Sequence, residues 1–327
     1  MAEKFLITGG QGFIGAWAAR QLLAEGAPFG ILDVARDDGI LAQVFPRDAL
    51  PRLERHFGDI ADGRFVAEAL ARSGATRILH LAGLQVPACR ADPLLGARVN
   101  VLGTLNVLEA ARTSGRVEMI AYASSAAVAG PTGDYSGRIA DDARHRPRTH
   151  YGVFKTANEG NARVYFFDHG IPSVGLRPLA VYGAGREVGI TSGPTKALKA
   201  AVLGRPYAIG FTGVTAFSYV ADVAAAFVAC ARSDPRAALA LNLPGEVVAV
   251  EDFIRRIEAE APACRGKITA TGQPIPVAYD FSGEGLERLL GRGNVPATPL
   301  GQGIHETAEI FRALAREGRL HDRDLLG

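Results

Sequence analysis

The sequence predicts an α/β fold in which a doubly wound parallel sheet is covered by helices on both faces. Three observations support this. A glycine-rich turn follows the first apolar run, a second apolar run ends on an acidic residue, and strand-like and helix-like stretches alternate as far as residue 178. After residue 178 the alternation becomes irregular, which predicts a smaller, discontinuous C-terminal domain.

The glycine-rich turn joins the first predicted strand, residues 4–8, to the first predicted helix. A turn of this kind presents unbonded backbone N–H groups at a helix N-terminus, where they suit a pyrophosphate. Gly9 can supply the tight turn, Gly12 the close approach of phosphates, and Gly15 the close packing of helix on strand. An ordinary glycine-rich loop is the alternative.

The second apolar run ends at Asp33, eighteen residues after Gly15. An acidic side chain at this place can bind both hydroxyls of an adenosine ribose. The turn, its strand and helix context, and the acidic residue together predict a bound dinucleotide.

The composition excludes several other classes of protein. The chain has 327 residues, 48% of them hydrophobic, and a net charge of only +2, so nothing indicates a nucleic-acid partner. No apolar run is long enough for a membrane span, and the N-terminus enters a strand without a signal peptide. Three scattered cysteines and seven histidines form neither a disulfide framework nor a metal-ligand set. We expect a cytoplasmic protein without a metal.

The alternation assigns the elements and the domains. Predicted strands are residues 29–32, 55–58, 77–82, 117–123 and 172–177, and predicted helices lie near 12–25, 63–73, 93–114 and 149–169. Later elements are helices near 194–203, 221–232, 250–260 and 303–317, with short strands near 207–211 and 239–243. We expect a cofactor domain at residues 1–178, with a return segment near 212–245, and a mainly substrate-binding domain at 179–327.

A phenol and an ammonium group stand four residues apart at Tyr151 and Lys155, which places them on one face of a helix. A phenol ordinarily titrates near pH 10, too high for a base at neutral pH. A nearby ammonium, helped by a positively charged nicotinamide ring, lowers that pKa. The pair therefore predicts proton transfer by Tyr151; a chance pair on a solvated face is the alternative.

Two further polar sites accompany this pair. Ser124 and Ser125 follow the strand 117–123 at its carboxyl end, where open α/β sheets hold their ligands. A hydroxyl there can hydrogen-bond the substrate oxygen that changes between alcohol and carbonyl. Asn100, inside the helix near 93–114, either relays protons or holds backbone groups, and both can be true.

With these residues in place, the chain resembles the extended short-chain dehydrogenase/reductases, the NAD-dependent epimerase/dehydratase family. The resemblance runs from residue 5 to about residue 230, in the family's order and spacing. It rests on the three glycines, Asp33, GDI at 58–60, HLAG at 80–83, NVLGT at 100–104, the two serines, YGVFK at 151–155, RP at 177–178 and VADVA at 220–224.

The resemblance implies a role for each matching residue. Ser125, with Tyr151 as acid/base, Lys155 and Asn100, matches the catalytic set, and Ser124 is the less favoured neighbour that contacts substrate. Asp33 implies NAD, because a carboxylate repels a 2′-phosphate, although Arg36 leaves NADP as a minor option. The implied cofactor-binding residues are Gly9, Gly12, Phe13, Ile14, Gly15, Asp33, Asp59, Ile60, Leu81, Ala82, Gly83, Tyr151, Lys155 and Pro178.

Two departures concern the substrate. Ala129 stands where the family usually has a tyrosine. Thr215 and Ala216 stand where nucleotide-sugar members have an arginine and an aspartate, and that arginine clasps the substrate diphosphate. We therefore expect a small substrate without a nucleotide.

Three other residues are candidates for binding this substrate. Arg186 either holds a carboxylate or lies in a solvated loop, and Thr191 either bonds a hydroxyl or caps the next helix. Gln85, like Cys89, follows the cofactor loop, and we expect Cys89 to be a packed residue rather than a nucleophile.

These expectations combine into one function. We expect an NAD-dependent oxidoreductase that moves a hydride between nicotinamide and a secondary alcohol or ketone of a sugar, sugar acid or lactone. The alternatives are an epimerase that oxidises and re-reduces its substrate in place, and a regulatory NAD-binding protein without turnover. The resemblance also implies a homodimer through the helices near 93–114 and 149–169. These helices carry more apolar residues than one buried face of a helix needs.

Overall fold

The structure is a computed structural model that describes residues 2–325. Its strands are β1 (Phe5–Thr8), β2 (Phe29–Asp33), β3 (Glu54–Phe57), β4 (Arg77–His80), β5 (Met119–Ala123), β6 (Ser173–Arg177), β7 (Ala180–Tyr182), β8 (Tyr207–Ile209), β9 (Val214–Tyr219), β10 (Ala238–Asn242), β11 (Glu246–Ala249) and β12 (Ile268–Ala270). Its helices are α1 (Phe13–Ala24), α2 (Leu41–Val44), α3 (Gly63–Ser73), α4 (Val86–Ala91), α5 (Pro93–Ala97), α6 (Gly103–Ser114), α7 (His150–His169), α8 (Gly193–Val202), α9 (Val220–Arg232), α10 (Val250–Glu260), α11 (Glu284–Leu290) and α12 (Leu300–Arg316).

A seven-stranded parallel sheet, in the order β3-β2-β1-β4-β5-β6-β10, forms the centre of the molecule. The chain builds outward from β1 to β3 and then returns to add β4 on the other side of β1. Ligands of such sheets bind beyond the carboxyl ends of the strands at this reversal. The predicted doubly wound α/β fold is confirmed.

Buried side chains on both faces hold this sheet between helices. Along β1, Phe5 and Ile7 enter the cluster formed with α1 and α9, whereas Leu6 enters the cluster formed with α3 and α6. Successive side chains of a strand point to opposite faces, so an uninterrupted apolar run is what a strand covered on both sides requires.

The predicted helix near 93–114 is interrupted. It consists of α5, a π-helical turn at Arg98–Leu102, and α6. In the turn, the carbonyl oxygen of Asn100 accepts from the hydroxyl of Thr104 (2.7 Å) and from the amide of Asn158 on α7 (2.8 Å). The sequence prediction missed this break.

The later part of the chain forms two small sheets, β11-β9-β7 and β12-β8, against helices α8, α10 and α12. The sequence analysis did not predict β7, β9, β11, β12, α2, α4 or α11. Most of these strands are only three or four residues long, and β9 continues directly into α9 without a turn signal. The strand predicted near 239–243 is β10, at the edge of the central sheet.

No helix among residues 2–325 combines the length and apolar character needed to cross a membrane.

Candidate active site

A cavity of about 450 Å³ lies beyond the carboxyl ends of β1, β2 and β4. It brings together eight of the residues predicted to bind the cofactor. These are Gly9, Gly12, Asp33, Asp59, Ile60, Leu81, Ala82 and Gly83. Gly9 has a φ of +71°, and a Cβ there would lie 2.6 Å from the backbone nitrogen of Ala82. Glycine at this position therefore keeps the turn close to the loop after β4.

Asp33 ends β2 with its carboxylate oriented by two backbone groups. Its Oδ2 accepts from the backbone nitrogen of Gln11 at 2.9 Å, and its Oδ1 from that of Ala35 at 3.0 Å. Each oxygen keeps acceptor capacity for a ribose hydroxyl. The guanidinium of Arg36 lies over the ring of Phe57, 5.2 Å from its centroid.

Other residues of the cleft escaped the sequence analysis. Leu84 and Val99 line the same cavity, and Glu187 and His321 line it from the C-terminal part of the chain. Leu84 follows the HLAG motif directly, so motif length was an available signal. Glu187 and His321 are distant in sequence from every cofactor motif, and nothing in their local pattern indicates this place.

Three other residues predicted to bind the cofactor lie at the start of α1, and one follows β6. Phe13 and Gly15 are buried in the first turn, and Ile14 is partly buried between them. Pro178 follows β6, where its carbonyl oxygen accepts from the backbone nitrogen of Ala126 at 3.1 Å. This bond ties the end of β6 to the turn that follows Ser125.

Tyr151, Ser125 and Lys155 lie together where the start of α7 meets the end of β5. Thr149 caps α7 by accepting from the backbone nitrogen of Gly152 (3.0 Å), and the first two turns of α7 carry Tyr151 and Lys155. Lys155 Nζ lies 5.4 Å from the centroid of the Tyr151 ring and donates to the carbonyl oxygen of Ala123 at 2.6 Å. The bond to Ala123 fixes the ammonium beside the end of β5.

The electrostatics of Tyr151 differ from the expectation. Burial raises the pKa of its phenol, whereas a hydrogen bond with Ser125 and the charge of Arg186 act in the opposite direction. Burial outweighs both of these effects on the pKa, and Lys155 is not among the groups that act on the phenol, so the expected lowering of the pKa by Lys155 is not found. Burial also lowers the pKa of Lys155 to about 8.

Asn100 uses its side chain to hold the cofactor loop. Its Oδ1 accepts from the backbone nitrogen of Leu84 (2.7 Å), and its Nδ2 donates to the carbonyl oxygen of Leu84 (3.0 Å) and lies 3.3 Å from the sulfur of Cys89. Both amide atoms are occupied by the backbone of one residue. Of the two roles considered for Asn100, this geometry favours the backbone-holding one.

Ser124 does not lie where substrate binding would require it. Its side chain is buried, and its hydroxyl donates to Glu159 Oε1 at 2.5 Å. The prediction that Ser124 contacts substrate disagrees with this geometry, because consecutive residues at the end of β5 point in opposite directions. Ser125 is the serine that faces Tyr151.

The carboxylate that engages Ser124 belongs to a buried ion pair. Glu159 receives two bonds from Arg177, at 2.8 Å from Nε and 2.7 Å from Nη2. Glu159 follows Lys155 by four residues and Tyr151 by eight, so it lies on the same face of α7. That spacing was a signal the sequence analysis did not use.

Arg186 lies in the interior, with 8% of its surface exposed. Its Nη2 donates to the hydroxyl of Thr191 at 3.1 Å, and its guanidinium lies 5.4 Å from the centroid of the Phe13 ring. The solvated-loop alternative for Arg186 is therefore wrong. A Cβ placed on Gly189 would meet both Arg186 Nη2 (3.0 Å) and Gln85 Oε1 (3.2 Å), so these two side-chain atoms border the same small space beside Gly189.

Cys89 is completely buried, as expected of a packed residue, and burial raises the pKa of its thiol. Thr215 and Ala216, at the positions of the absent arginine and aspartate, are buried within β9. Among residues 2–325, no group of three or more histidine, cysteine or acidic side chains is placed to hold a metal ion.

The chain is similar to known epimerases and to a dehydrogenase. The UDP-glucose 4-epimerase of Mycolicibacterium smegmatis is 27% identical over 321 residues, covering 94% of this chain and 98% of that enzyme. The D-erythronate dehydrogenase of Cupriavidus necator is 32% identical over 192 residues, only 53% of this chain and 56% of that enzyme. The solved structure of Thermus thermophilus UDP-glucose 4-epimerase with NAD aligns with a TM-score of 0.78 and 27% identity, covering 94% of this chain and 99% of that one.

The model of the NAD dependent epimerase/dehydratase family matches residues 5–242, well over half of the chain. The cavity, its glycine turn and the oriented carboxylate of Asp33 fit a bound dinucleotide. The chain therefore belongs to the NAD-dependent epimerase/dehydratase family, and its cofactor is NAD.

Proposed function

We propose that this protein is an NAD-dependent dehydrogenase, which oxidises a secondary alcohol of a small hydroxylated substrate or reduces the corresponding ketone. The observation that carries the proposal is the grouping of Tyr151, Ser125 and Lys155 at the carboxyl end of β5, next to the cofactor cleft. A phenol, a hydroxyl and an ammonium group meet the needs of proton transfer at a carbonyl oxygen.

Each residue has a stated task in this proposal. Tyr151 takes the proton of the substrate hydroxyl in oxidation and returns it in reduction. Ser125 holds the same oxygen by a hydrogen bond, and Lys155, anchored on the carbonyl oxygen of Ala123, supplies positive charge beside the phenolate. When bound, NAD⁺ accepts the hydride at C4 of nicotinamide, and its positive ring favours the phenolate.

The absence of the arginine and aspartate at Thr215 and Ala216 supports a substrate without a nucleotide diphosphate. The similarity to D-erythronate dehydrogenase, an enzyme named for a small hydroxy acid, agrees with this choice. Asp59 and Ile60 serve the adenine in this proposal, and Asn100 positions the loop that carries Leu84.

A nucleotide-sugar epimerase is the second candidate, favoured by one specific observation. The match to UDP-glucose 4-epimerase extends over nearly the whole chain, whereas the match to the dehydrogenase covers about half. An epimerase oxidises its substrate, keeps the NADH and reduces the intermediate from the other side. Release of NADH into solution therefore separates the two candidates. A regulatory protein without turnover is disfavoured by the intact Ser125, Tyr151 and Lys155.

Substrate screening with Tyr151→Phe tests the proposal. Polyols, aldonates, uronates and nucleotide sugars are offered with NAD⁺ while NADH absorbance is followed. The variant keeps the ring and loses the oxygen that moves the proton, so turnover should fall by at least about 10²–10⁴-fold with NAD⁺ still bound. Tyr165→Phe on the same helix is the matched control, because its hydroxyl bonds Glu109 at the surface. Near-normal activity of Tyr151→Phe would remove this tyrosine from the mechanism.

We also propose that Asp33 selects NAD over NADP, since its fixed carboxylate would face the 2′-phosphate of NADP. Calorimetry of both cofactors should give a lower dissociation constant for NAD⁺, and Asp33→Asn should narrow the difference. Equal affinities in the unchanged protein would show that Arg36 controls the site.

The proposal also includes two domains: a cofactor domain at 1–178 with a return near 212–245, and a substrate domain at 179–327.

The proposal further includes a homodimer through the helices near 93–114 and 149–169. Its support is exposed apolar surface on those helices: Leu94 is 84% and Phe167 73% exposed. Light scattering at micromolar concentration should give twice the 34.4 kDa monomer mass, and Phe167→Asp should shift the measured mass toward that of the monomer.

A further inference from the structure

Arg186 carries a buried charge that its surroundings do not neutralise. Within residues 2–325, no carboxylate forms an ion pair with it, and its one hydrogen bond is to the hydroxyl of Thr191. Its Nε is buried without an acceptor. Removing a guanidinium from water without a paired anion is costly, so a protein retains such a group where a bound ligand completes the pairing.

The guanidinium is held in place despite this missing partner. The face of Phe13 lies against it, and Thr191 fixes one terminal nitrogen. Gly189, with a φ of +101°, leaves free a space beside Arg186 and Gln85 in which a side chain would collide with both. The donors of Arg186 are thus positioned before a ligand arrives, which lowers the entropic cost of binding.

Arg186 also lies close to the proposed reacting centre. Its charge acts on the phenol of Tyr151, and the phenol acts on Arg186 in return. Phe13, which supports the guanidinium, belongs to the first turn of α1, immediately after the glycine turn. A ligand that bonds both Tyr151 and Arg186 would therefore extend toward the first turn of α1.

We propose that Arg186 binds the carboxylate of a hydroxy acid and thereby determines the substrate class. This inference rests on the proposed function, since it places the acid's hydroxyl at Tyr151. The planar fork of a guanidinium matches a carboxylate with two parallel hydrogen bonds. The amide of Gln85, which borders the same space beside Gly189, is available to a further hydroxyl of the same molecule.

The charge balance favours a single carboxylate over a diphosphate. Arg186 offers one unpaired positive charge, whereas the charge of Lys155, anchored on the carbonyl oxygen of Ala123, serves the phenolate of Tyr151 in the proposed function. A diphosphate brings at least two negative charges into the same space. One unpaired guanidinium leaves one of these charges uncompensated.

Binding measurements on the complex with NADH test the inference. Four- to six-carbon aldonates and the alditols of the same carbon skeletons are titrated by calorimetry into the unchanged protein, Arg186→Met, Arg186→Lys and Arg90→Met. At least one aldonate should bind more tightly than its alditol. Arg186→Met should weaken that aldonate by about 10- to 100-fold, the range of a charge-assisted hydrogen bond, and leave the alditol nearly unchanged.

The other variants sharpen this result. Arg186→Lys keeps the positive charge but lacks the planar guanidinium, so its affinity for the aldonate should lie between those of the unchanged protein and Arg186→Met. Arg90→Met, which removes an exposed arginine from a neighbouring depression, should bind the aldonate like the unchanged protein. If Arg186→Met does not fold, Thr191→Val tests the same contact with a smaller expected loss.

Two results would overturn the inference. One is an aldonate affinity that does not depend on Arg186. The other is tight binding of UDP or GDP, competed by substrate and lost in Arg186→Met, which would assign the arginine to a phosphate. Titrating the aldonate into Tyr151→Phe separates the two proposals. If an aldonate binds through Arg186 but no compound transfers a hydride, the carboxylate-binding role of Arg186 is supported and the dehydrogenase is rejected. If only neutral polyols are oxidised, the dehydrogenase is supported and the carboxylate-binding role of Arg186 is rejected.

Discussion

Two buried arginines, Arg177 and Arg186, differ in how completely they are paired. Arg177, 4% exposed, donates to both oxygens of Glu159, to the carbonyl oxygen of Asp141 and to Asn242 Oδ1, and lies 3.1 Å from His145 Nε2. Arg186, 8% exposed, has one hydroxyl and one aromatic face. At nearly equal burial, a complete set of partners indicates a structural role, and an incomplete set indicates a position reserved for a ligand.

The largest expected effect tests the paired side of this comparison. Arg177→Met leaves the carboxylate of Glu159 buried without its main partner, so the free energy of unfolding should fall by about 3–5 kcal/mol. Arg186→Met removes an uncompensated charge and should cost much less. Urea denaturation of both variants measures the difference.

The double variant Arg177→Met/Glu159→Gln is the control for this result. It should recover part of the lost stability, because neither charge is then left alone. If Arg186→Met destabilises the protein as much as Arg177→Met, both arginines are structural and the contrast between them disappears.

Lys155, a third buried cation, extends the comparison to pH. Its pKa in the folded protein is about 8, because burial disfavours the charged form, against about 10.4 in an unfolded chain. Between these values the unfolded state holds more protons, so the free energy of unfolding rises with pH. From pH 7 to pH 10 the unchanged protein should gain about 2 kcal/mol relative to Lys155→Met. Parallel curves for the two proteins would mean that Lys155 titrates normally.

The smallest expected effect concerns Thr191, which, among residues 2–325, is the one side chain that accepts a hydrogen bond from Arg186. Thr191→Val removes one neutral acceptor and leaves the guanidinium freer to turn. The affinity for an aldonate should fall by the equivalent of about 0.5–1.5 kcal/mol, with the melting temperature unchanged. A loss of stability similar to that of Arg177→Met would place Thr191 among the structural partners. Glu68→Gln on the exposed face of α3 is a control that should change neither property.

The sequence predicted the central sheet well, because its signals are local. An apolar run such as Phe5–Thr8 indicates a strand buried on both faces, and the glycine turn after it marks the cofactor cleft. The grouping of Tyr151 with Lys155 follows from their spacing on α7. Their catalytic roles, and those of Ser125 and Asn100, remain predictions.

What the sequence did not predict depends on contacts between distant segments. The direction of Ser124 toward Glu159 is set by the packing of α7 on the end of β5. The burial of Arg186 depends on Phe13, more than 170 residues earlier in the chain. The residues that flank Arg186 and Arg177 in the sequence do not indicate that the first is unpaired and the second paired.

The position of β10 has a consequence for how the chain folds. It pairs with β6 along five residues, from Ala238 beside Ser173 to Asn242 beside Arg177, after a connection of some sixty residues. During synthesis the sheet consequently keeps an open edge at β6, and Arg177 lacks the side chain of Asn242, until nearly three quarters of the chain has emerged. An open strand edge recruits other chains. The emerging protein is thus most prone to aggregate in the interval between completion of β6 and arrival of β10. A chain truncated at residue 178 would keep the edge of β6 exposed permanently.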